Sequence, residues 1–259
     1  MQTAAWLAPR YRPLRPPTEI GDPRPGDSLV LKSAFSLIAM HAMNIEKARF
    51  NMVEQQIRPW EVLDQDVLDL LYVIRREEFV SPAYRALAFS DLEIPLGDGE
   101  RMWAPKIEAR VLQELAVRKG DKVLEVGTGS GYFAALLAHR GQLVHSVEIN
   151  PRLAAFGAAN IKAQAIENVA IEEGDAAQGW AKHAPYDVIV LTGSVPVLPQ
   201  TMLEQLKPGG RLFAIVGDPP VMEARLVTCV AAGTYRSTDL FETNFPPLRN
   251  APQPSRFEF

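Results

Sequence analysis

The architecture of this chain follows from one short segment, Val123-Leu124-Glu125-Val126-Gly127-Thr128-Gly129-Ser130-Gly131-Tyr132. Three of its first four residues are apolar, which favours a buried strand, and three glycines then permit a tight turn before a helix over Gly131–Ala138. Such a turn lets the backbone approach a ligand closely, and the unpaired N–H groups at the helix start can bind it. The segment therefore predicts a cofactor-binding turn; a simple strand–helix connection is the alternative.

The spacing of the glycines separates two classes of cofactor. Dinucleotide sites favour Gly-x-Gly-x-x-Gly, whose third glycine would fall at position 132. That position is Tyr132, and the third glycine comes one residue earlier, at Gly131. The compact Gly-x-Gly-x-Gly spacing resembles the first motif of the Rossmann-like methyltransferases, in which the turn holds a methionine moiety. A nicotinamide-dependent oxidoreductase is the more remote alternative.

Strands and helices alternate downstream of this segment. Beyond the strand Lys122–Val126, further strands are predicted at Leu143–Glu148, Val169–Glu172, Val188–Thr192, Arg211–Val216, Ala224–Val230 and Leu240–Phe245, with helices over Arg152–Gln164 and Pro199–Leu206. Repeated βα units form a doubly wound, mostly parallel sheet covered by helices, and its ligands bind at the carboxyl ends of the strands. The predicted fold class is therefore α/β, of the Rossmann-like class I methyltransferase type, with an N-terminal helical extension.

Acidic residues follow two of these strands. Glu148 ends its strand, where a carboxylate can accept hydrogen bonds from both ribose hydroxyls, and Asp175 can accept one from the adenine amine. A solvated acid and a turn residue are the respective alternatives. The predicted S-adenosylmethionine-binding residues are Glu125, Gly127, Thr128, Gly129, Ser130, Gly131, Glu148, Asp175 and Ala176.

Three segments are predicted along the chain. Residues 1–42 begin with six prolines in the first 27 positions, which favours a disordered proline-rich arm, and Met43 is interpreted as the natural start. Residues 43–105 form a helical and loop region that contributes to the substrate site. Residues 106–259 form the S-adenosylmethionine-binding methyltransferase domain. Within these segments, helices are predicted over Asn44–Ile57, Gln65–Ile74 and Lys106–Leu115, and a loop over residues 79–103.

Composition narrows the functional classes. The net charge of −4 at pH 7 argues against a nucleic-acid partner, because such binding depends on clustered Lys and Arg. The single cysteine, Cys229, excludes an intrachain disulfide, and the four histidines contain no pair at i, i+4, so no metal site is predicted. No apolar run is long enough to cross a membrane, and a cytoplasmic location is expected. The oligomeric state is not predicted.

Several further motifs resemble the protein-L-isoaspartate O-methyltransferases. They are Arg76–Val80, Gly174–Trp180, Ala184–Thr192, Gln205–Leu212 and Phe245–Leu248, so the similarity covers about residues 50–248. The resemblance implies S-adenosylmethionine as the cofactor and a protein or peptide carboxylate as the acceptor. Those enzymes methylate the α-carboxyl group of isoaspartyl residues in damaged proteins.

The resemblance breaks at residues 99–105. The family's substrate segment usually reads Gly-Gln-Thr-Ile-Ser-Gln-Pro, whereas this chain reads Gly-Glu-Arg-Met-Trp-Ala-Pro. Because Trp103 stands at the serine position, no catalytic residue is carried over. Trp103 is interpreted either as a side chain that covers the sulfonium or reshapes the acceptor pocket, or as a packing aromatic that plugs the site. The candidate substrate-region residues are Arg101, Trp103, Pro105, Thr192 and Ser194.

Three functions follow from these patterns. The leading one is a methyltransferase that acts on an isoaspartyl carboxylate or on a divergent acceptor. The second is a methyltransferase for RNA or a small metabolite, which the acidic composition disfavours in the case of RNA. The third is an S-adenosylmethionine-binding protein without catalytic activity, which the tryptophan at position 103 makes plausible.

Overall fold

A computed structural model describes residues 44–254 of the chain. The described residues from Ala48 onward belong to one compact unit, and residues 44–47 belong to the segment before it. The predicted proline-rich arm over residues 1–42 therefore lies outside the described residues. In the part of the chain that the structure describes, no helix is both long and apolar enough to cross a membrane.

The N-terminal region is helical, as predicted. Helix α1 covers residues 44–51 and is followed by a π-helical turn over Met52–Ile57. The remaining helices are α2 (Gln65–Val73), α3 (Pro105–Leu115), α4 (Tyr132–Arg140), α5 (Pro151–Ala163) and α6 (Gln200–Leu203). The side chain of Asp64 accepts hydrogen bonds from the backbone N–H groups of Asp66 and Val67, so α2 begins at the predicted N-cap. Proline at the first helical position starts both α3 and α5.

Nine strands form two sheets among the residues described. They are β1 (Ile94–Gly97), β2 (Glu100–Met102), β3 (Lys122–Val126), β4 (Leu143–Glu148), β5 (Val169–Glu173), β6 (Tyr186–Val195), β7 (Leu206–Val216), β8 (Met222–Ala231) and β9 (Thr234–Thr243). The large sheet has the order β5-β4-β3-β6-β7-β8-β9. Strands β3 to β7 pair in parallel, and β8 and β9 are antiparallel. The predicted doubly wound, mostly parallel sheet is confirmed.

The order of the strands positions the site. After β3 the chain adds β4 and then β5 on one side, and it returns to place β6 and β7 on the other side of β3. Ligands of such sheets bind at this switch point, outside the carboxyl ends of the strands. The glycine turn follows β3 directly, so it lies at the switch point.

Several predicted boundaries are wrong; strand β7, for example, begins at Leu206 and not at Arg211. The helix predicted over Pro199–Leu206 is only the short α6, because Leu206 already pairs with Tyr186 as the first residue of β7. The last strand, predicted at Leu240–Phe245, is β9, which begins at Thr234. Gly233, with φ +73°, makes the turn from β8 into β9.

The predicted loop over residues 79–103 is also wrong in part, because it contains the hairpin β1–β2. Asp98 (φ 56°) and Gly99 (φ 82°) form its two-residue turn, and positive φ at both positions is typical of type I′. Arg152, from α5, donates hydrogen bonds to the Leu96 carbonyl (2.7 Å) and to the Asp98 carboxylate (2.9 Å). These bonds hold the hairpin against the segment that follows β4.

Candidate active site

A cleft opens at the carboxyl ends of β3, β4, β5 and β6. It brings together seven of the residues predicted from sequence, namely Arg101, Gly127, Gly129, Glu148, Asp175, Ala176 and Thr192. Residues 245–249, which follow β9, and Leu96 from the hairpin complete its walls. The glycine turn and both predicted acids therefore meet in one crevice.

The glycine turn is held closely against β6. Gly127 has φ +97°, and a Cβ atom added to it would lie 2.3 Å from the Thr192 hydroxyl oxygen. That hydroxyl lies 2.9 Å from the Val126 carbonyl and 2.8 Å from the Gly127 carbonyl, both of which accept its hydrogen bond. Thr192, predicted as a substrate-region residue, thus also fixes the shape of the turn.

Glu148 joins the end of β4 to the turn. Its side chain is 6% exposed, and its two oxygens accept hydrogen bonds from the backbone N–H groups of Gly129 (2.9 Å) and Asn150 (3.0 Å). Each carboxylate oxygen has a second lone pair, so both can accept a further bond from a ligand hydroxyl. The carboxylate is therefore oriented before a ligand arrives.

Asp175 is exposed and is oriented by two partners. One carboxylate oxygen accepts a hydrogen bond from the backbone N–H of Ala177 (3.0 Å), as in an Asx turn. The other accepts one from the side-chain amide of Asn250 (2.8 Å). The neighbouring Ala176 is buried in the wall of the cleft. The structure therefore shows the turn role of Asp175 and places the residue along the cleft, where its contact with a ligand stays a prediction.

A second cavity adjoins the first and shares Gly127, Gly129 and Thr192 with it. Glu125 lines this cavity and is fully buried. One of its oxygens accepts a hydrogen bond from the Ser146 hydroxyl, which lies 2.6 Å from the Thr128 hydroxyl. The other oxygen has no hydrogen-bond partner among residues 44–254. Burial raises the pKa of Glu125 to about 8.

The raised pKa of Glu125 predicts a pH-dependent loss of stability. The pKa of Glu125 in the folded protein, about 8, exceeds the ordinary value of 4.5. The contribution of this carboxyl group to the free energy of unfolding is therefore complete below pH 4.5 and is lost as the pH rises through 8. Between about pH 6 and pH 7.5, the free energy of unfolding of the wild type should fall by about 2 kcal/mol relative to Glu125→Gln. Urea unfolding of both proteins at each pH tests this, and parallel pH profiles would contradict it.

Trp103 is 4% exposed, and its ring packs edge to face against three phenylalanines. The ring centroids lie 5.3 Å from Phe133, 5.9 Å from Phe213 and 6.0 Å from Phe245. The indole also lines the second cavity, and its N–H has no hydrogen-bond partner in the described chain. These contacts favour the packing interpretation of Trp103.

Arg101 contrasts with Trp103 two residues away. Its side chain is 55% exposed, it lines both cavities, and it forms a 3.2 Å ion pair with Glu93. It thus brings a positive charge to the mouth of the site.

The remaining predicted residues lie beside the cleft. Thr128 and Ser130 are buried and line the second cavity. Gly131 (φ +80°) lies where α4 and α5 pack, because a Cβ atom there would be 3.0 Å from the Gly157 carbonyl. Pro105 is the buried first residue of α3, and the buried hydroxyl of Ser194 donates to the Phe245 carbonyl (2.8 Å). Neither cavity is therefore lined by Gly131, Pro105 or Ser194, which instead make packing or hydrogen-bond contacts that hold the structure together.

Several residues that reach the cleft from distant parts of the chain were not predicted from the sequence. Leu96 comes from the hairpin, and Leu248, Arg249 and Asn250 come from the segment after β9. The Asp98-Gly99 pair was a usable signal for the hairpin. The motif Phe245–Leu248 resembles the family's sequence, but nothing in it indicates a position at the cleft.

Residues 47–251 match the family model described as "Protein-L-isoaspartate(D-aspartate) O-methyltransferase". A protein-L-isoaspartate O-methyltransferase of Gloeobacter violaceus is 37% identical over 203 residues, which cover 78% of this chain and 99% of that protein. A second one, from Syntrophobacter fumaroxidans, is 38% identical over 206 residues, which cover 80% of this chain and 96% of that protein.

Solved structures give the same picture of the fold. A protein-L-isoaspartate O-methyltransferase superimposes with a TM-score of 0.67 at 28% identity, covering 79% of this chain and 65% of that chain. A Plasmodium falciparum structure of the same description, in complex with S-adenosyl-L-homocysteine, has a TM-score of 0.67 at 20% identity over 77% of this chain and 97% of that chain. At that identity the second match supports the fold alone.

Proposed function

The chain belongs to the protein-L-isoaspartate(D-aspartate) O-methyltransferase family, and on that premise we propose that it methylates the isoaspartyl α-carboxylate of damaged proteins. It is an S-adenosylmethionine-dependent methyltransferase. One observation carries the assignment of its site: the turn at Gly127, the oriented carboxylate of Glu148 and the Asp175 side chain line a single cleft at the switch point of the sheet.

The residues of the cleft fit S-adenosylmethionine. The turn at Gly127 and Gly129 presents backbone without side chains, and Glu148 retains lone pairs for the two ribose hydroxyls. Asp175 and Ala176 would contact the adenine, and Glu125 offers a buried oxygen without a described partner beside the turn. Bound there, the cofactor supplies an electrophilic methyl group on a positively charged sulfur.

The chain needs little acid–base machinery for this reaction. A carboxylate acceptor is already ionised at neutral pH, so no general base has to remove a proton from it. The protein instead has to align the carboxylate with the methyl group and exclude water. Leu96 and Leu248 provide apolar walls for that purpose, and Arg101 can bind the acceptor carboxylate at the mouth of the cleft.

Replacing Glu148 by glutamine should weaken S-adenosylmethionine binding by about 1–3 kcal/mol, because the amide loses charged-acceptor bonds to the ribose. Isothermal titration calorimetry measures the affinity directly. Glu173→Gln is the matched control, since Glu173 is the register partner of Glu148 on β5 but is exposed outside the cleft. Equal affinities for the two variants would remove Glu148 from the cofactor site.

The acceptor is tested with paired peptides that differ only in one isoaspartyl or aspartyl residue. We expect transfer of labelled methyl from S-adenosylmethionine to the isoaspartyl peptide and at least ~10-fold less to the aspartyl peptide. Arg101→Gln should raise the KM for the isoaspartyl peptide about 10-fold, the effect of losing one charge-assisted hydrogen bond, with cofactor affinity unchanged.

Arg225→Gln is the control for this experiment, because Arg225 also pairs with a carboxylate, that of Asp239, but lies on β8 away from the cleft. An unchanged KM in Arg101→Gln would exclude Arg101 from acceptor binding. Cofactor binding without transfer to either peptide would contradict the isoaspartyl proposal while leaving the cofactor site intact.

A further inference from the structure

Three potential metal ligands meet outside both cavities. His145 lies on β4, Glu172 lies on β5, and His183 ends the short 3₁₀ helix Ala181–His183 that precedes β6. The Oε1 atom of Glu172 lies 2.8 Å from Nε2 of His183 and 3.6 Å from Nδ1 of His145. One ligand atom from each residue lies within 4.8 Å of the other two. The sequence predicted no metal site, because no two histidines are spaced to bind one ion from the same helix. In the structure, the three ligands come from three separate elements.

The buried histidine of this cluster has an unused nitrogen. His145 is 7% exposed, and its Nδ1 atom is buried with no hydrogen-bond partner among the residues described. A buried polar atom without a partner costs free energy, and a bound ligand would remove that cost. Nδ1 faces the Glu172 carboxylate, the side from which a cation would be coordinated.

We propose that His145, Glu172 and His183 bind one divalent transition-metal ion of the zinc type. Two imidazoles and one carboxylate are a common set of three protein ligands for zinc, and water then occupies the fourth position. Bonds of about 2.0–2.2 Å in tetrahedral geometry separate ligand atoms by about 3.3–3.6 Å. The Glu172–His145 separation of 3.6 Å lies in that range, and the Glu172–His183 separation of 2.8 Å is shorter and would have to widen.

Coordination requires one local adjustment. The two imidazole rings stack with their centroids 3.9 Å apart and an interplanar angle of 12°, so both must turn until their lone pairs point at a single ion. Lys182 donates to Oε2 of Glu172 and fixes the carboxylate from the outer side. Oε1, which faces the two histidines, also accepts a 3.4 Å hydrogen bond from the Trp180 indole N–H, and a bound ion would replace that bond. The ion would link β4, β5 and the segment before β6, and thus brace the strands that carry Glu148 and lead to Asp175.

The test uses the full-length chain without a histidine tag, stripped with a chelator and then freed of it. After incubation with zinc chloride and gel filtration, we expect one zinc per chain by elemental analysis and a rise in the thermal midpoint of several degrees. His183→Ala and Glu172→Gln should both lose the bound zinc and the thermal shift. His183 is more exposed than His145, so its replacement is the variant better tolerated by the fold.

His139→Ala is the control, because His139 lies on α4 outside the cluster and should leave one zinc bound. No zinc on the wild-type chain, or one zinc on both His183→Ala and Glu172→Gln, would overturn the proposal. A zinc-induced fall in the thermal midpoint would overturn it as well. The assay measures metal content and stability, so its outcome is independent of methyl transfer.

Discussion

Replacing Arg76 by methionine is expected to lower the free energy of unfolding by about 3–5 kcal/mol, because it leaves a buried carboxylate without its ion-pair partner. Arg76 is 1% exposed and lies 2.9 Å from the carboxylate of Glu108, which is also buried. It donates further bonds to the carbonyls of Ala88 (2.8 Å) and Trp103 (2.6 Å). Burial raises the pKa of Glu108 and the Arg76 charge opposes that rise.

The matched control is Arg75→Met, since Arg75 is the exposed neighbour of Arg76. Its replacement should change stability by less than about 0.5 kcal/mol. Adding Glu108→Leu to Arg76→Met should recover part of the loss, because the unpaired buried carboxylate is then removed. Urea unfolding of the four proteins measures these differences. If Arg76→Met costs no more than Arg75→Met, the buried pair does not stabilise the fold.

Gly127→Ala is expected to weaken S-adenosylmethionine binding by about 100-fold. A side chain at φ +97° is strained, and its Cβ atom would lie 2.3 Å from the Thr192 hydroxyl that anchors the turn. Local backbone strain and the forced shift of the turn together cost about 3 kcal/mol, which corresponds to that loss of affinity. Calorimetric titration with S-adenosylmethionine tests the prediction.

Gly233→Ala is the control, because it introduces backbone strain at a glycine outside the proposed cofactor site. Gly233 also has a positive φ, +73°, but a Cβ atom there would meet no atom within 4 Å, and it lies in the β8–β9 turn. This variant should lose about 1 kcal/mol of stability and bind the cofactor as the wild type does. Wild-type affinity in the Gly127→Ala variant would show that the turn does not hold the cofactor.

The sequence predicted the centre of the fold best where the local pattern was strongest. Strands β3 and β4 have the bounds that were predicted, because each is a compact apolar run next to a sharp turn. The hairpin β1–β2 lies within residues 79–103, for which the sequence predicts a loop, because its proline and glycines are also typical of loops. The Asp98-Gly99 pair is nevertheless a strong signal for the turn of a hairpin. Strand β7 extends back through Pro208 and two glycines, a composition that is locally typical of a loop.

In the predicted site too, the local features followed from the sequence and the contacts between distant residues did not. The backbone positions of Gly127, Glu148 and Asp175 follow from strand order, and the structure places all three at one cleft. Their partners did not follow from it: Asn250 contacts Asp175 across 75 positions of the chain, and Phe245 accepts the bond from Ser194 across 51. The packing of Trp103 on three phenylalanines depends likewise on residues distant in sequence.

By itself, the amino-acid sequence determined the α/β class, the cofactor type and the glycine turn, because those depend on local periodicity and on motifs within a few residues. The tertiary structure was needed to show that Thr192 anchors the turn, that Trp103 is a packed side chain, and that His145, Glu172 and His183 meet. Such contacts join side chains from separate elements, and their distances depend on how the sheet and helices pack rather than on the local pattern of any one segment.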